Sequence, residues 1–337
     1  MKIRKSAIPN LLVLGFFCAL VLSGFKQYSV WQQVLDLEGQ DAASLVTGLH
    51  PHALRFALIF PVLLLSNQIG MEQDALFSIV ILTLLASMCF LLSCSLSIIR
   101  HRMAREWPRY YWMVLAPTVG MAMVMNGRVA IAMFGLSLLI LLMTSWQAGH
   151  LRSGILFLIG AAVALLFMAV SSGTIMVGVL VFMVFCLVMP FCRWPAFRSR
   201  DLGLVVACLA ILAGLAPFLG VSIQKNLDFY GGGTEGFVNM VNHGFGAFFP
   251  ESPHLLIIFA VVGGYLGFRA AQYGVGLYHK QAISAPLQIS VIASMFLGVF
   301  GYSTLLVAMP AVFGIMALQY LGPAPRLDAK TSGSSSQ

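Results

Sequence analysis

The chain has 337 residues, 60% of them hydrophobic and only 9% charged, with a formal net charge of +8. A soluble domain carries roughly 45–50% apolar and about 25% charged residues, and a single soluble core could not bury this much apolar surface. The composition argues for lipid as the solvent of most of the chain. It argues against a nucleic-acid partner, because the basic residues stand in short gaps between apolar runs and form no separate basic domain.

The chain opens with a basic stretch, Met1–Lys5, followed by an apolar run at 9–25. Ser23 and Gly24 offer a poor cleavage site, so the run reads as an uncleaved signal-anchor helix. Residues 26–52 are more polar and carry Asp36, Glu38, Asp41, His50 and His52; 28–48 is mildly amphipathic, as in a re-entrant or interfacial segment. Stretches near the spanning length of about 17–25 residues then follow at 53–71, 75–99, 129–146, 155–173, 174–191, 202–221, 255–276, 285–301 and 302–321, with a shorter one at 110–125. Tight turns at Ser171–Gly173 and Gly301–Tyr302 imply hairpins or kinked long helices. The expected fold is all-α: a polytopic membrane bundle of about ten or eleven transmembrane helices over 1–325, with main polar loops at 26–52 and 222–254. The segment 326–337 reads as a disordered tail. No internal repeat is visible.

Basic loops set the orientation. Residues 100–109, 147–153, 192–201, 277–284 and the chain after 322 fall inside. The turns at 71–74, 126–128, 173 and 301, and the segment 222–254, fall outside. This alternation is consistent from residue 53 onward and fails before it. A crossing at 53–71 places 26–52 inside and Lys2, Arg4 and Lys5 outside, against the charge bias.

The six cysteines show no disulfide or zinc spacing in a polar loop; Cys89 and Cys94 point to different helix faces and read as small packing residues. His50 and His52 are too few ligands for a metal site, and no cofactor motif occurs. Arg128 is the most informative residue. A cation between two apolar runs on the face poor in positive charge is either a functional group or a snorkelling anchor. Its neighbour Asn126 could hold the guanidinium or a polar ligand. Arg55, just inside an apolar run, reads as a helix-end anchor or as a partner for Asp41 or a substrate anion. Arg269, near the inner end of its run, reads as an anchor. Asp41, Asp228, Glu235 and His243 are the candidates for proton transfer, each with a solvated loop group as its alternative. Gly231–Gly233 lacks the lysine and hydroxyl of a phosphate-binding loop and reads as a flexible turn. Gly263 and Gly267 are spaced for close helix packing.

The run Met125–Leu136, with Asn126 and Arg128 ahead of a helix opening in small residues, resembles the asparagine–arginine motif of the EpsG-like and Wzy-like polysaccharide polymerases. Gly39-Gln40-Asp41 resembles that family's early Gly-x-Asp. The chain departs from the pattern in having only Gly127 between Asn and Arg, Val129 after the Arg, no tyrosine after Asp41, and Ser171–Thr174 where a later histidine is usual. The resemblance implies a multi-pass protein of the bacterial cytoplasmic membrane that joins polyprenyl-diphosphate-linked glycan units, alongside other polysaccharide-assembly proteins and without metal or cofactor. It implies catalytic roles for Arg128 with Asp41, Glu235 or His243, and substrate binding by Asn126, Arg55 and Asp228. A flippase for a lipid-linked glycan, or a non-catalytic subunit docked through 100–109, are the rival readings.

Overall fold

The computed structural model describes residues 51–101, 104–122, 127–193, 199–245, 285–295 and 302–318, with a few single positions between 268 and 297. Among the described residues the secondary structure is entirely helical. In chain order these helices are α1 (Pro51–Ile69), α2 (Gln73–His101), a short 3-10 turn (Ala104–Arg109), α3 (Tyr111–Ala122), α4 (Gly127–Ala148), α5 (Gly154–Met168), α6 (Ser172–Arg193), α7 (Ser199–Phe229), α8 (Gly233–Phe245), α9 (Ala285–Ala293) and α10 (Tyr302–Ala317). Gln73–His101, Gly127–Ala148 and Val205–Phe229 are long and apolar enough to cross a membrane; Arg55–Ile69, Gly154–Met168, Gly173–Met189 and Leu306–Ala317 are shorter apolar segments. The apolar run at 9–25, nearly all of that at 255–276, Gly263, Gly267, Arg269 and the tail 326–337 lie outside the described residues.

Helix α4 is the centre of the bundle. It packs against α2 and α5 most extensively, and also against α6, α9 and α10. Its sequence permits this because small residues stand where neighbours approach. A β-carbon built on Gly127 would stand 3.0 Å from the Phe77 ring, and one on Gly135 would stand 2.6 Å from the Ala164 carbonyl oxygen. Gly160 faces Leu142, and Trp146 packs on Phe157. Such close approach lets dispersion contacts hold helices together where no hydrophobic force separates them from lipid.

These contacts fix the helix directions. Phe77 beside Gly127 puts the starts of α2 and α4 at one end, and Ala164 and Met168 beside Gly135 bring the end of α5 there too. Gly173 meets Thr304, so α6 and α10 also begin there. At the opposite end Arg100 donates from Nη1 to the Leu318 carbonyl (3.3 Å), and Gly314 packs on Leu96. The turns at 71–74, 127 and 171–173 thus share the Arg128 end, and 104–110 and 149–153 share the other. This is the alternation expected from the basic loops. At that second end Arg109 pairs with Glu106 (3.1 Å), Tyr110 hydrogen-bonds His101 (2.7 Å), and Trp107 packs edge-on against Phe90 and Tyr111.

Two regions are arranged differently from the other apolar runs and loops. The first is 53–71. Arg55 Nε donates to the Val170 carbonyl (2.8 Å), which fixes the start of α1 at the Arg128 end. Only Gly70–Glu72 separate its last residue from α2, which begins at that same end. Helix α1 therefore starts and finishes at one end of the bundle. It buries a single stripe, Arg55, Ile59, Leu63 and Ser66, spaced three or four residues apart. The second is the loop 222–254. Residues 222–229 continue α7, helped by Gln224 Nε2 donating to Asp228 Oδ1 one turn on (2.8 Å). Residues 233–245 form α8, in which Phe237, Val241 and Phe245 recur every four residues.

Apolar side chains remain exposed along whole helices. Ile155, Leu156 and Ile159 of α5 and Leu202, Val206 and Leu209 of α7 are all exposed. The inner faces of α6 and α7 pack together, with Cys186 on one and Cys208 on the other, both buried. Membrane-permeant oxidation with copper phenanthroline is expected to join this pair, which tests whether the two side chains face each other closely enough for disulfide geometry. Thiol titration after denaturation should fall by two per chain, and Cys208→Ala should abolish the fall.

Candidate functional site

The Arg128 end collects the polar groups that packing alone does not require. It is built from four chain segments: the start of α1, the start of α4, the α5–α6 turn and the α7–α8 turn.

The α5–α6 turn is buried; Met168 and Val170 are both fully enclosed. Buried carbonyls need donors. Thr174 Oγ1 supplies one to the Met168 carbonyl (2.5 Å), and Arg55 Nε supplies one to the Val170 carbonyl (2.8 Å). Ser171 Oγ accepts from the Thr174 backbone N–H (3.3 Å) and so caps α6. Arg55 itself is only 4% exposed. It is not a lipid-facing anchor, because its guanidinium points into the bundle rather than to a headgroup layer.

Arg128 occupies the first turn of α4 and is half-buried. Its positive charge and that of Arg55 lie close enough to repel. Among the described residues Arg128 has no hydrogen-bond or ion-pair partner. Two guanidinium charges drawn together at the margin of an apolar bundle are unfavourable unless something anionic stands between or beside them.

Tyr230 completes the cluster. It directly follows α7 and precedes three glycines with positive φ: Gly231 (113°), Gly232 (76°) and Gly233 (54°). Only glycine adopts three such conformations in succession at little steric cost. The turn is locked from both sides. The Leu227 carbonyl accepts from the N–H groups of Tyr230 (3.1 Å) and Gly232 (2.8 Å), and Asn239 Nδ2 donates to the Tyr230 carbonyl (2.9 Å). Partial burial pushes the Tyr230 phenol above its ordinary range, and the charge of Arg128 partly opposes this. Tyr230 was not among the candidates from sequence; its signal is an aromatic residue at the junction of an apolar run and a glycine turn.

The other candidates are placed less centrally. Asp228 and Glu235 are exposed and flank the triple-glycine turn. A β-carbon on Gly232 would stand 3.9 Å from Asp228 Oδ1, and one on Gly231 would stand 3.9 Å from Glu235 Cδ. Asp228 is held by Gln224. His243 belongs to α8, but its side chain lies outside the described residues, as do Asp41, Asn126, His50 and His52 entirely or in their side chains. No group of three His, Cys, Asp or Glu side chains suited to a metal ion occurs among the described residues.

The glycine turn also permits α8 to fold back. Gly236 is buried against Leu227, and a β-carbon there would overlap the Leu227 carbonyl oxygen. Gly236→Ala is therefore expected to swing α8 away and cost about 1–3 kcal/mol locally. Limited proteolysis should then cut within 230–236 faster than in the parent; an unchanged rate would show that α8 does not rest on α7.

No protein-family model, no curated protein and no solved structure matches the chain.

Proposed function

We propose that this chain is a multi-pass protein of the bacterial cytoplasmic membrane whose Arg128 end faces outward and joins polyprenyl-diphosphate-linked glycan units. The observation that carries the proposal is the pair Arg55 and Arg128: neighbouring cations at one end of an apolar bundle, with Arg128 lacking a described partner. The sequence resemblance to EpsG-like and Wzy-like polymerases supports it. So do the exposed apolar rows of α5 and α7, which suit lipid contact.

In this reading a hydroxyl of the acceptor glycan attacks the anomeric carbon of the donor. The new carbon–oxygen bond forms as the anomeric carbon–phosphate oxygen bond breaks, and the polyprenyl diphosphate leaves with the electron pair. The hydroxyl proton passes to a carboxylate or imidazole, for which Asp41, Glu235 and His243 are the candidates. Arginine forks match phosphate oxygens geometrically and hold charge as it develops on the leaving group. A diphosphate neutralised by two guanidiniums needs no metal.

The test compares cells carrying the parent or Arg128→Ala at equal membrane abundance. Single lipid-linked units accumulating on the outer face support polymerisation. Their accumulation on the inner face assigns the defect to transport, and polymer of normal length removes Arg128 from the site.

A further inference from the structure

We infer that α1 does not cross the membrane, so that the chain entering it at Pro51 stands on the same side as Arg128. The inference rests on the membrane orientation just proposed for the bundle, but not on the polymerase chemistry.

Two structural ties carry it. The Arg55 guanidinium is buried and bonded to the carbonyl of Val170, itself fully enclosed at the α5–α6 turn. This fixes the first turns of α1. At its other end, Ser66 Oγ donates to the Met71 carbonyl (2.6 Å) and Met71 N–H donates to the Ser66 carbonyl (3.3 Å). Gly70, with φ of 66°, reverses the chain there, and α2 begins at once. Its Phe77 packs beside Gly127, next to Arg128. Both ends of α1 are thereby held at one end of the bundle. At about 1.5 Å per residue the 19 residues of α1 reach roughly 28 Å, close to the about 30 Å of hydrocarbon, so it is the two ties at its ends and not its length that decide its path. It lies across that end instead of traversing the core. Its exposed Phe60, Leu64 and Leu65 then suit the boundary between headgroups and acyl chains.

The charges of the sequence agree independently. With α1 crossing, Lys2, Arg4 and Lys5 fall on the side of Glu72 and Asp74, against the bias that puts cations inside. With α1 lying flat and only 9–25 crossing before it, those three cations join the basic side that carries Arg100, Arg105 and Arg109. Asp36, Glu38 and Asp41 then join the acidic side with Glu72, Asp74, Asp228 and Glu235. One change of topology removes the single inconsistency in the charge pattern.

The test is side-specific labelling of the full-length protein with a membrane-impermeant maleimide, in intact and permeabilised spheroplasts. Cysteine is introduced singly as Gln33→Cys, Ser44→Cys, Thr47→Cys, Glu72→Cys or Arg105→Cys, with the parent as background. Three positions ahead of α1 ensure that at least one is reachable. The inference expects those positions and Glu72→Cys to label from the same side, and Arg105→Cys from the other. Labelling of the 33–47 positions from the side opposite Glu72→Cys would overturn it. The readout does not depend on polymer formation, so failure of the polymerase reading would leave a same-side result standing.

Discussion

Arg128→Ala is expected to lower polymer formation by about 100-fold, in line with the loss of one preorganised group that stabilises developing negative charge. Arg128→Lys should recover part of this, since it restores the charge but not the planar fork. The structure adds a second expectation that separates a binding role from a structural one. Arg128 has no described hydrogen-bond partner and repels Arg55, so its removal relieves a like-charge contact. Thermal stability in detergent should stay level or rise slightly in Arg128→Ala while activity falls. Arg55→Ala should behave differently. Its Nε bond to the Val170 carbonyl is buried, and an orphaned buried carbonyl costs about 1–3 kcal/mol. That variant should lose stability and activity together. If both arginines hold one diphosphate, the double variant should lose less than the product of the single losses, because neither residue then has its shared partner. Equal loss of melting temperature in both single variants would sink the distinction.

How much of this was legible in the sequence depends on the scale of the feature. Apolar runs revealed the existence of α2, α4, α5, α6 and α7, since spans of that length are read from composition alone. The hairpin at Ser171–Gly173 was legible for the same reason. The path of α1 was not. Its sequence, with Phe56, Leu58, Ile59 and Phe60 in near succession, is as apolar as that of a crossing helix. Only the contact between Arg55 and Val170, 115 residues apart, reveals that it turns back. The charge inconsistency at Lys2–Lys5 marks the one region that a simple alternation of spans does not fit. The site divides similarly. Arg128 stood out because a cation between apolar runs is rare. Arg55 looked like an ordinary helix-end residue, because burial of a helix terminus is set by packing and not by local sequence. Tyr230 was hidden inside what composition suggested was a loop. Polar residues at 222–245 lower the mean hydropathy, yet Phe237, Val241 and Phe245 keep the four-residue spacing of a helix after the glycines.

Gly135→Ala tests whether the site depends on the packing of α4 against α5. In a free helix the change from glycine to alanine favours the helical state by about 1 kcal/mol. Here the new methyl would stand 2.6 Å from the Ala164 carbonyl oxygen and 2.9 Å from both Met168 Cγ and Phe167 Cβ. Met168 has rotamers to spare, but a backbone carbonyl and a β-carbon move only with their helix. Overpacking of this kind costs about 1–3 kcal/mol, so the net effect should be destabilising in spite of propensity. Gly214→Ala on α7 is the matched control, because a β-carbon there meets nothing within 4 Å; it should be neutral or slightly stabilising. The consequence for function follows from connectivity. Pushing α5 off α4 displaces Val170, Val170 holds Arg55, and the charge of Arg55 feels that of Arg128. Gly135→Ala should therefore melt earlier than Gly214→Ala and make less polymer at temperatures well below its melting point. Identical melting of the two variants would show that α4 and α5 do not approach as closely as these contacts require. Reduced polymer without reduced melting temperature would instead mean that the displacement reaches the arginine pair while the bundle itself absorbs it.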